Sequence, residues 1–425
     1  MNAYLLTFGG FLLLGGRLGD LFGYRKLFVV GISLFTLASL SCGLATSQAF
    51  LIAARAVQGI GGAVVEAVGL SLMMNLFTQP EERAKAMGIY GFVAAGGGSV
   101  GVLLGGVLTN VLDWHWVFLV NIPVGVLVIV LSLMLLPASH TSEGSRHVDF
   151  AGAVTVTTSL MLAVYAIVNG NEMGWTSPQT LGMLGAAALL LAIFVAIEAR
   201  VQAPLVPLGM FRIRNLVVCN VIGVLWAASM FAWFFLSALY MQLVLAYTPM
   251  QVGLAFLPAN VIMAVFSLGL SAKIVMRFGI RGPLSIGLLL AAAGLALFAK
   301  APVNGDFVID VLPSMVPLGV GGGIAFNPML LAAMSDVEPT ESGLASGIVN
   351  TSFMMGGALG LAILASLAAF QTSNLLAGGA DQIIAINEGY HAAFIVGALF
   401  AGLAALMGAT LLRIDMAAIR NMEME

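Results

Sequence analysis

The stretch GRLGDLFGYRK, residues 16–26, concentrates charge in a chain where charge is scarce. It holds two arginines, a lysine and an aspartate, although only 8% of the 425 residues are charged and 60% are hydrophobic. Soluble domains carry about 25% charged residues, so this composition leaves too little polar surface for a soluble protein. The sequence therefore predicts an integral membrane protein.

Apolar runs recur along the whole chain, and a membrane-spanning helix needs about 20 such residues. We predict about thirteen spans, at 3–18, 27–46, 49–73, 86–110, 116–136, 150–169, 179–198, 215–245, 251–272, 282–300, 310–334, 343–369 and 391–412. Long continuous runs favour helices over the alternating strands of a barrel. The predicted fold class is an all-α integral membrane protein.

Basic residues set the predicted orientation. With residues 17–26 as a cytoplasmic loop, every lysine and arginine outside the spans except Lys300 falls on the cytoplasmic side. This agrees with the enrichment of basic residues in cytoplasmic loops. We expect Met1 to be external and the C-terminal tail to be cytoplasmic.

Residues 16–26 have a counterpart downstream, AKIVMRFGIRG at 272–282. At one fixed offset Gly23 aligns with Gly279 and Arg25 with Arg281, whereas Asp20 faces Met276. Two helical bundles related by a parallel internal repeat are typical of many secondary transporters.

Residues 16–26 also resemble the cytoplasmic signature of the major facilitator superfamily, G-x-L-x-D-x-x-G-x-[RK]-[RK]. Further segments resemble its fourteen-span drug:proton antiporter branch: RAVQGIGGA (55–63), DWHWVFLVNIPVG (113–125), GWTSP (174–178), APLVPLGMFRIRN (203–215) and SGLASGIVNTSFMMGGALG (342–360). The resemblance implies a gate latch in which the aspartate pairs with a basic residue of the other half. The gate residues are Gly16, Arg17, Asp20, Gly23, Arg25 and Lys26. The alternative is a solvated, positively charged loop.

The resemblance implies two six-helix bundles with two extra helices between them. The predicted domains are an N-terminal bundle (1–136), a cytoplasmic loop with the extra helices (137–200), a C-terminal bundle (201–413) and a tail (414–425). Only five spans fall in the first bundle, so the first helix of the family, which commonly carries the coupling acid, is missing. We expect a start-site or truncation artefact, with a natural truncation as the alternative.

The antiporter motif of the family, G-P-x-x-G-G, reads GVLLGG at 101–106, with Val102 in place of proline. Small residues recur at a spacing that places most of them on one helix face, which predicts close packing against a neighbouring helix. The residues are Gly97, Gly101, Gly105 and Gly106. A plain glycine-lined helix interface is the alternative.

Two charges, Arg55 and Glu66, fall inside a predicted span, where a charge is costly and indicates function. Eleven residues are about three helical turns, so both point the same way. Arg55 matches the family motif R-x-x-Q-G, whose arginine the family links to proton translocation. We expect Glu66 to take the coupling proton or attract a cationic substrate, and pairing with Arg83 or Lys85 is the alternative.

Aromatic and polar residues within spans are weaker candidates for a substrate cavity. They are Gln58, Trp226, Phe231, Trp233, Tyr240, Asn260, Asn327 and Asn350. Ordinary packing of the aromatic residues and interhelical hydrogen bonds of the asparagines are the alternatives.

We predict proton-coupled export of amphipathic or cationic drugs by alternating access, in a cytoplasmic membrane and as a monomer. The partners are a small molecule, protons and the lipid bilayer, with no nucleic acid. No phosphate-binding loop, metal-ligand cluster or nucleophile motif indicates an ATPase, an enzyme, a metal or a cofactor. The alternatives are export of a metabolite, lipid or self-made antibiotic, and a truncated, non-transporting remnant or regulatory partner.

Overall fold

Helices form nearly all of the structure, and no strand occurs among the residues it describes. The computed structural model describes residues 2–77, 104–137, 149–201, 208–337 and 342–413, together with positions 86, 93, 97, 101 and 204. The helices with described bounds are α1 (Asn2–Phe22), α2 (Tyr24–Gly43), α3 (Gln48–Leu76), α4 (Trp116–Leu119), α5 (Asn121–Leu135), α6 (Phe150–Met173), α7 (Pro178–Glu198), α8 (Arg214–Leu239), α9 (Pro249–Val265), α10 (Ser271–Phe278), α11 (Arg281–Phe298), α12 (Leu312–Met334), α13 (Ser342–Ala377) and α14 (Gln382–Leu411). The predicted all-α class is confirmed.

Nine helical segments of the described chain are long and apolar enough to cross a membrane. Three shorter apolar helices, Thr7–Gly16, Ala151–Ile167 and Pro249–Val265, coincide with predicted spans. Together they account for all but one of the thirteen predicted spans. The remaining one, 86–110, lies mostly outside the described residues. The protein is therefore a multi-pass membrane protein.

Helix ends differ from the prediction at three places. The predicted loop 17–26 is helical except at Gly23, which separates α1 from α2 with a φ of 88°. A left-handed φ favours glycine, so this residue and not the hydropathy sets the break. The helix α13 continues beyond 369 to Ala377, and α14 begins well before 391. Its start is set by Asp381, whose carboxylate accepts hydrogen bonds from the backbone N–H groups of Ile383 and Ile384.

The described residues fall into two units. One comprises Met1–Ala86 and Val107–Leu208, and the other Met87–Gly106 and Gly209–Glu425. The domain boundaries predicted from the sequence remain a prediction.

In the first unit, α3 packs against α1 and α2 at glycines. A Cβ atom at Gly59 would overlap the backbone of Tyr4 and the side chain of Thr7 in α1. On the α2 side, a Cβ at Gly61 would lie 2.6 Å from the backbone nitrogen of Phe35. Small residues let membrane helices approach backbone to backbone in this way. The Thr7 hydroxyl adds a hydrogen bond of 2.7 Å to the carbonyl oxygen of Ala56.

In the second unit, one asparagine ties three helices together at the end predicted to be cytoplasmic. Asn215, 1% exposed at the start of α8, donates to Asp336 Oδ2 (2.8 Å) and Ser335 Oγ (3.1 Å) beyond α12. It also donates to the carbonyl oxygen of Arg413 (2.7 Å) and accepts from the backbone nitrogen of Arg413 (3.0 Å) after α14. The amide uses both its donor and acceptor groups, so these ends of α8, α12 and α14 are held together.

The opposite end of the second unit is held through the loop that follows α11. Tyr240 donates its hydroxyl to the carbonyl oxygen of Pro302 at 2.8 Å. The carbonyl oxygen of Ala301 accepts from Asn387 Nδ2 at 3.0 Å and lies 2.8 Å from His391 Nε2. The ends of α8, α11 and α14 are therefore joined here by side-chain hydrogen bonds.

Candidate functional site in the first unit

The half-buried guanidinium of Arg55 begins a chain of hydrogen bonds across α3 and α2. Arg55 Nη1 donates to Gln58 Oε1 at 2.6 Å, and Gln58 Nε2 donates to the hydroxyl of Ser39 in α2. Gln58 is 1% exposed and Ser39 is fully buried. The amide of Gln58 thus fixes the direction in which Arg55 points.

Two aromatic rings complete the surroundings of Arg55. Its guanidinium carbon lies 4.3 Å from the centroid of the Tyr4 ring in α1 and 5.5 Å from that of Phe118 in α4. Both distances are within the range of cation–π attraction, which stabilises a cation where water is scarce. Arg55 is therefore held in place by residues of four helices.

Tyr4 of α1 packs against the face of α3 that lies between Arg55 and Glu66. A Cβ atom at Gly62, which lies between them in α3, would be 2.8 Å from the Tyr4 hydroxyl oxygen. The side chain of Tyr4 therefore crosses α3 between the two charged residues. Glu66 is itself half-buried.

Sequence reasoning missed Tyr4, Ser39 and Phe118. Tyr4 opens an apolar run and Phe118 lies in one, so neither stands out from its neighbours. Ser39 does not stand out either, because it is one of several hydroxyl residues in its span, with Ser33, Thr36 and Ser41. The contact between Tyr4 and Arg55 joins residues far apart in sequence, and no local pattern reveals it.

The structure describes the side chains of some residues of the predicted gate motif but not of others. Gly23 supplies the left-handed turn, and Lys26 is exposed. Arg25 Nη2 donates to the carbonyl oxygen of Leu133, two residues before the end of α5. Gly16 lies in α1, as do Arg17 and Asp20, whose side chains are outside the described part of the structure. The latch between the halves remains a prediction.

The downstream counterpart of this motif makes the same contacts in the second unit. Gly279, aligned with Gly23, has a φ of 76°. Arg281, aligned with Arg25, donates Nη2 to the carbonyl oxygen of Ala409, two residues before the end of α14. Each arginine places positive charge at a helix C-terminus, where the helix dipole favours it. The predicted repeat is confirmed at these two positions.

The predicted packing of the antiporter glycines can be followed at Gly106. A Cβ atom there would lie 2.5 Å from the carbonyl oxygen of Pro249 at the start of α9, so the two backbones approach closely. Among the described residues, no atom lies within 4 Å of a Cβ atom built at Gly97 or Gly101. Most of the segment that carries these glycines is outside the described part of the structure, so their packing stays a prediction.

The substrate-cavity candidates of the second unit are only partly brought together. Trp226 and Trp233 line a narrow apolar cavity of about 10 Å³, together with Met230 and Met263. Phe231 lies apart from that lining, with its ring 6.4 Å from the ring of Phe353.

The remaining candidates have separate surroundings. Tyr240 holds the loop after α11, as described above, and Asn327 donates to the carbonyl oxygen of Ser267 at 3.2 Å. The amide of Asn260 is buried and has no hydrogen-bond partner among the residues that the structure describes, and Asn350 is half-buried in α13. Asn327 thus forms a hydrogen bond between helices, which is the alternative given above to a place in a substrate cavity. Among the described residues, no three or more His, Cys, Asp or Glu side chains could hold a metal ion together.

Comparison with known proteins agrees with this architecture. The Puromycin resistance protein pur8 of Streptomyces alboniger is 37% identical over 403 residues, which cover 94% of this chain and 80% of the relative. The Cephamycin export protein CmcT of Amycolatopsis lactamdurans is 37% identical over 376 residues, covering 88% and 77%. The crystal structure of an auto-inhibited peptide transporter of the POT family has a TM-score of 0.66 at 17% identity, covering 98% of this chain and 88% of that chain.

The structural likeness concerns the fold alone, because the sequence identity is low. The sequence profile of the Major Facilitator Superfamily matches residues 1–361. With the identity to the two relatives, this match establishes that the chain belongs to the Major Facilitator Superfamily of membrane transporters.

Proposed function

We propose that the protein exports amphipathic, cationic drugs in exchange for protons, by alternating access of two bundles. The observation that carries this proposal is the Arg55 network inside a membrane-spanning bundle. A charge within the membrane is costly and marks a functional group by default. Here four helices supply the amide, hydroxyl and aromatic groups that hold one guanidinium.

Glu66 is the proton carrier in this proposal. Glu66 follows Arg55 by eleven residues, about three helical turns, so the two side chains start from the same face of α3. When Glu66 is ionised, the carboxylate attracts a cationic substrate and is attracted by the fixed charge of Arg55. When Glu66 takes a proton, both attractions end, so substrate release follows protonation. Arg55 keeps its charge and its position throughout, so in this proposal only the protonation of Glu66 changes the charge of the site.

The gate, topology and assembly belong to the same proposal. Asp20 latches the two bundles at the cytoplasmic side, with Met1 external and the C-terminal tail cytoplasmic. The protein works as a monomer in a bacterial cytoplasmic membrane and carries out no covalent chemistry. The domains are those predicted from the sequence, 1–136, 137–200, 201–413 and 414–425.

The test is accumulation of a lipophilic cationic dye in a bacterial host that lacks its own efflux pumps. Expression of the protein should lower accumulation, and a protonophore should restore it. Glu66→Gln should abolish the protonophore-sensitive component, because glutamine cannot take the proton. Glu172→Gln is the matched control, since Glu172 is an exposed acid at the end of α6. Unchanged coupling in Glu66→Gln at equal expression would refute the role of Glu66.

A second candidate cargo is a self-made antibiotic or metabolite. The observation in its favour is that two relatives are named for puromycin resistance and cephamycin export. Resistance of the same host to a panel with puromycin, a cephamycin and several cationic dyes separates the cargoes. Protection against one compound alone would favour a dedicated exporter, and protection against several cations would favour a multidrug exporter.

A further inference from the structure

Two buried carboxylates meet where α6 begins and α7 ends. Asp149, the N-cap residue of α6, is 4% exposed, and Glu198, the last residue of α7, is 3% exposed. A Cβ atom at Gly152 would overlap Oδ2 of Asp149 and lie 3.1 Å from Oε1 of Glu198. Both oxygen atoms therefore reach the same space beside Gly152, which a side chain at this position would fill.

The two carboxylates need a positive charge close by. Oδ1 of Asp149 accepts from the backbone nitrogen of Gly152 at 2.7 Å, but Oδ2 is buried and has no hydrogen-bond partner among the described residues. Glu198 lies at the C-terminus of α7, where the helix dipole disfavours an anion. Because buried charges are not solvated by water, they are normally paired with an opposite charge. We therefore expect a cation against this pair.

Contacts between α1 and α6 fix the register of these two helices. The hydroxyl of Thr157 in α6 donates to the carbonyl oxygen of Gly10 in α1. A Cβ atom at Gly10 would lie 3.1 Å from Cγ2 of Thr157 and 3.3 Å from Cγ of Met161, so this face of α1 is turned to α6. The two helices are the first and the sixth of the predicted spans, so they cross the membrane in opposite directions.

This register places Arg17 at the level of Asp149. Arg17 follows Gly10 by seven residues, close to two helical turns, and thus starts from the face of α1 that is turned to α6. From Gly10 to Arg17 the helix α1 advances about 10 Å, and from Thr157 back to Asp149 the distance along α6 is about 12 Å. The backbone positions of Arg17 and Asp149 therefore lie at nearly the same depth.

We propose that the guanidinium group of Arg17 binds the carboxylates of Asp149 and Glu198. An arginine has five N–H donors in a planar fork, enough for two carboxylates at once. The other lysines and arginines that the structure describes in the first unit have different surroundings. Arg25 and Arg55 donate to the groups given above, and Lys26 and Arg200 are exposed.

This contact docks α6 and α7 against the helix that carries the gate motif. Asp149 and Glu198 are positioning residues, because they fix the end of α1 on which Asp20 follows Arg17 by three residues. The two extra helices thereby hold one side of the gate in place. This role in gating rests on the proposed latch, whereas the contact itself does not depend on transport.

The test is a double-mutant cycle on the unfolding temperature of the purified full chain in detergent. Arg17→Gln leaves two buried carboxylates without their cation and should lower the unfolding temperature by about 3 to 5 °C. Addition of Glu198→Gln removes one of the two negative charges and should recover about half of that loss. Arg17→Lys keeps the charge, so its loss should be smaller than that of Arg17→Gln.

Arg146→Gln is the matched control, because Arg146 is another arginine near the pair, three residues before Asp149 in the sequence. It should leave the unfolding temperature nearly unchanged, and Glu198→Gln should recover nothing in its background. If Arg17→Gln yields no folded protein, the same cycle is read from the yield of folded protein in gel filtration. Additive losses for Arg17→Gln and Glu198→Gln, or recovery with Arg146→Gln in place of Arg17→Gln, would overturn the contact.

Dye efflux from inverted membrane vesicles separates the contact from its role in transport. Arg17→Gln should lower efflux, and Arg17→Lys should restore most of it. The expected temperature cycle with unchanged efflux in Arg17→Gln would refute the positioning role. Absence of efflux by the unmodified chain would contradict the proposed transport, and the temperature cycle would still decide the contact.

Discussion

Replacement of Gln58 by leucine tests whether the hydrogen-bond chain from Arg55 to Ser39 positions the arginine. The two side chains have similar size, but leucine can neither accept from Arg55 nor donate to Ser39. The 2.6 Å bond to the guanidinium and the bond to the serine hydroxyl are lost together. Ser39 is fully buried, so water cannot replace its partner.

The loss of stability in Gln58→Leu can be worked out from these two hydrogen bonds. A hydrogen bond to a charged group contributes about 1.5–3 kcal/mol and a neutral one about 1 kcal/mol. Arg55 is only half-buried, so solvent offsets part of the first contribution. We expect a loss of about 2–3 kcal/mol in the free energy of unfolding, which lowers the unfolding temperature of a chain this long by about 2 to 3 °C.

Gln58→Glu separates stability from function. A carboxylate still accepts from Arg55, more strongly than an amide does, and the Ser39 hydroxyl can turn to donate to it. We expect an unfolding temperature near that of the unmodified protein. The added negative charge compensates Arg55, however, so the pH dependence of dye efflux should change.

The assay combines thermal unfolding in detergent with dye efflux from inverted membrane vesicles at several pH values. Ser39→Ala is the control for the neutral bond alone, with an expected loss of about 1 kcal/mol. An unchanged unfolding temperature and unchanged efflux in Gln58→Leu would refute the positioning role. The same pH profile in Gln58→Glu as in the unmodified protein would show that the charge of Arg55 does not enter the coupling.

Three further predictions concern packing, helix ends and acid sensitivity. Gly59→Ala should lower the unfolding temperature, because its Cβ overlaps α1 and overpacking costs about 1–3 kcal/mol. Gly402→Ala should raise it slightly, because no atom of the described residues lies within 4 Å of the added Cβ and alanine favours a helix. Arg25→Gln and Arg281→Gln should each cost about 1 kcal/mol in unfolding experiments, and equal losses would match their equivalent contacts. The backbone N–H of His115 holds the pKa of Asp113 below its usual value, so this stabilisation is present at neutral pH and is lost as pH falls. Asp113→Asn should therefore reduce the acid sensitivity measured in a pH series of unfolding temperatures.

Hydropathy predicts the number and positions of the spans well, because an apolar run of about 20 residues matches the length of a membrane-spanning helix. It does not predict where a helix ends. The α1 helix continues through charged residues to Phe22 because only Gly23 interrupts its hydrogen bonds. At α14, Asp381 caps a turn that is too polar to count as part of a span. Helix ends depend on backbone conformation and capping, which hydropathy does not measure.

The candidate site was predictable only where one residue carries an unusual property. Arg55 and Glu66 stand out because a charge in an apolar run is rare. The partners of Arg55 have no such signal, since Tyr4 and Phe118 are ordinary residues of apolar helices. Their role comes from the packing of α1 and α4 against α3, which joins Arg55 to positions 51 and 63 residues away.

The repeat separates what folding requires of the gate motif from what gating requires. Gly23 and Gly279 make the same left-handed turn, and Arg25 and Arg281 each bind a carbonyl group two residues before the end of a helix in their own unit. Residues shared by both copies are therefore explained by the folding of each unit. Asp20 is different, because Met276 occupies its place in the second copy. In the latch that we propose, Asp20 therefore has the role that the two copies do not share, and Asp20→Asn should alter transport without loss of either arginine anchor.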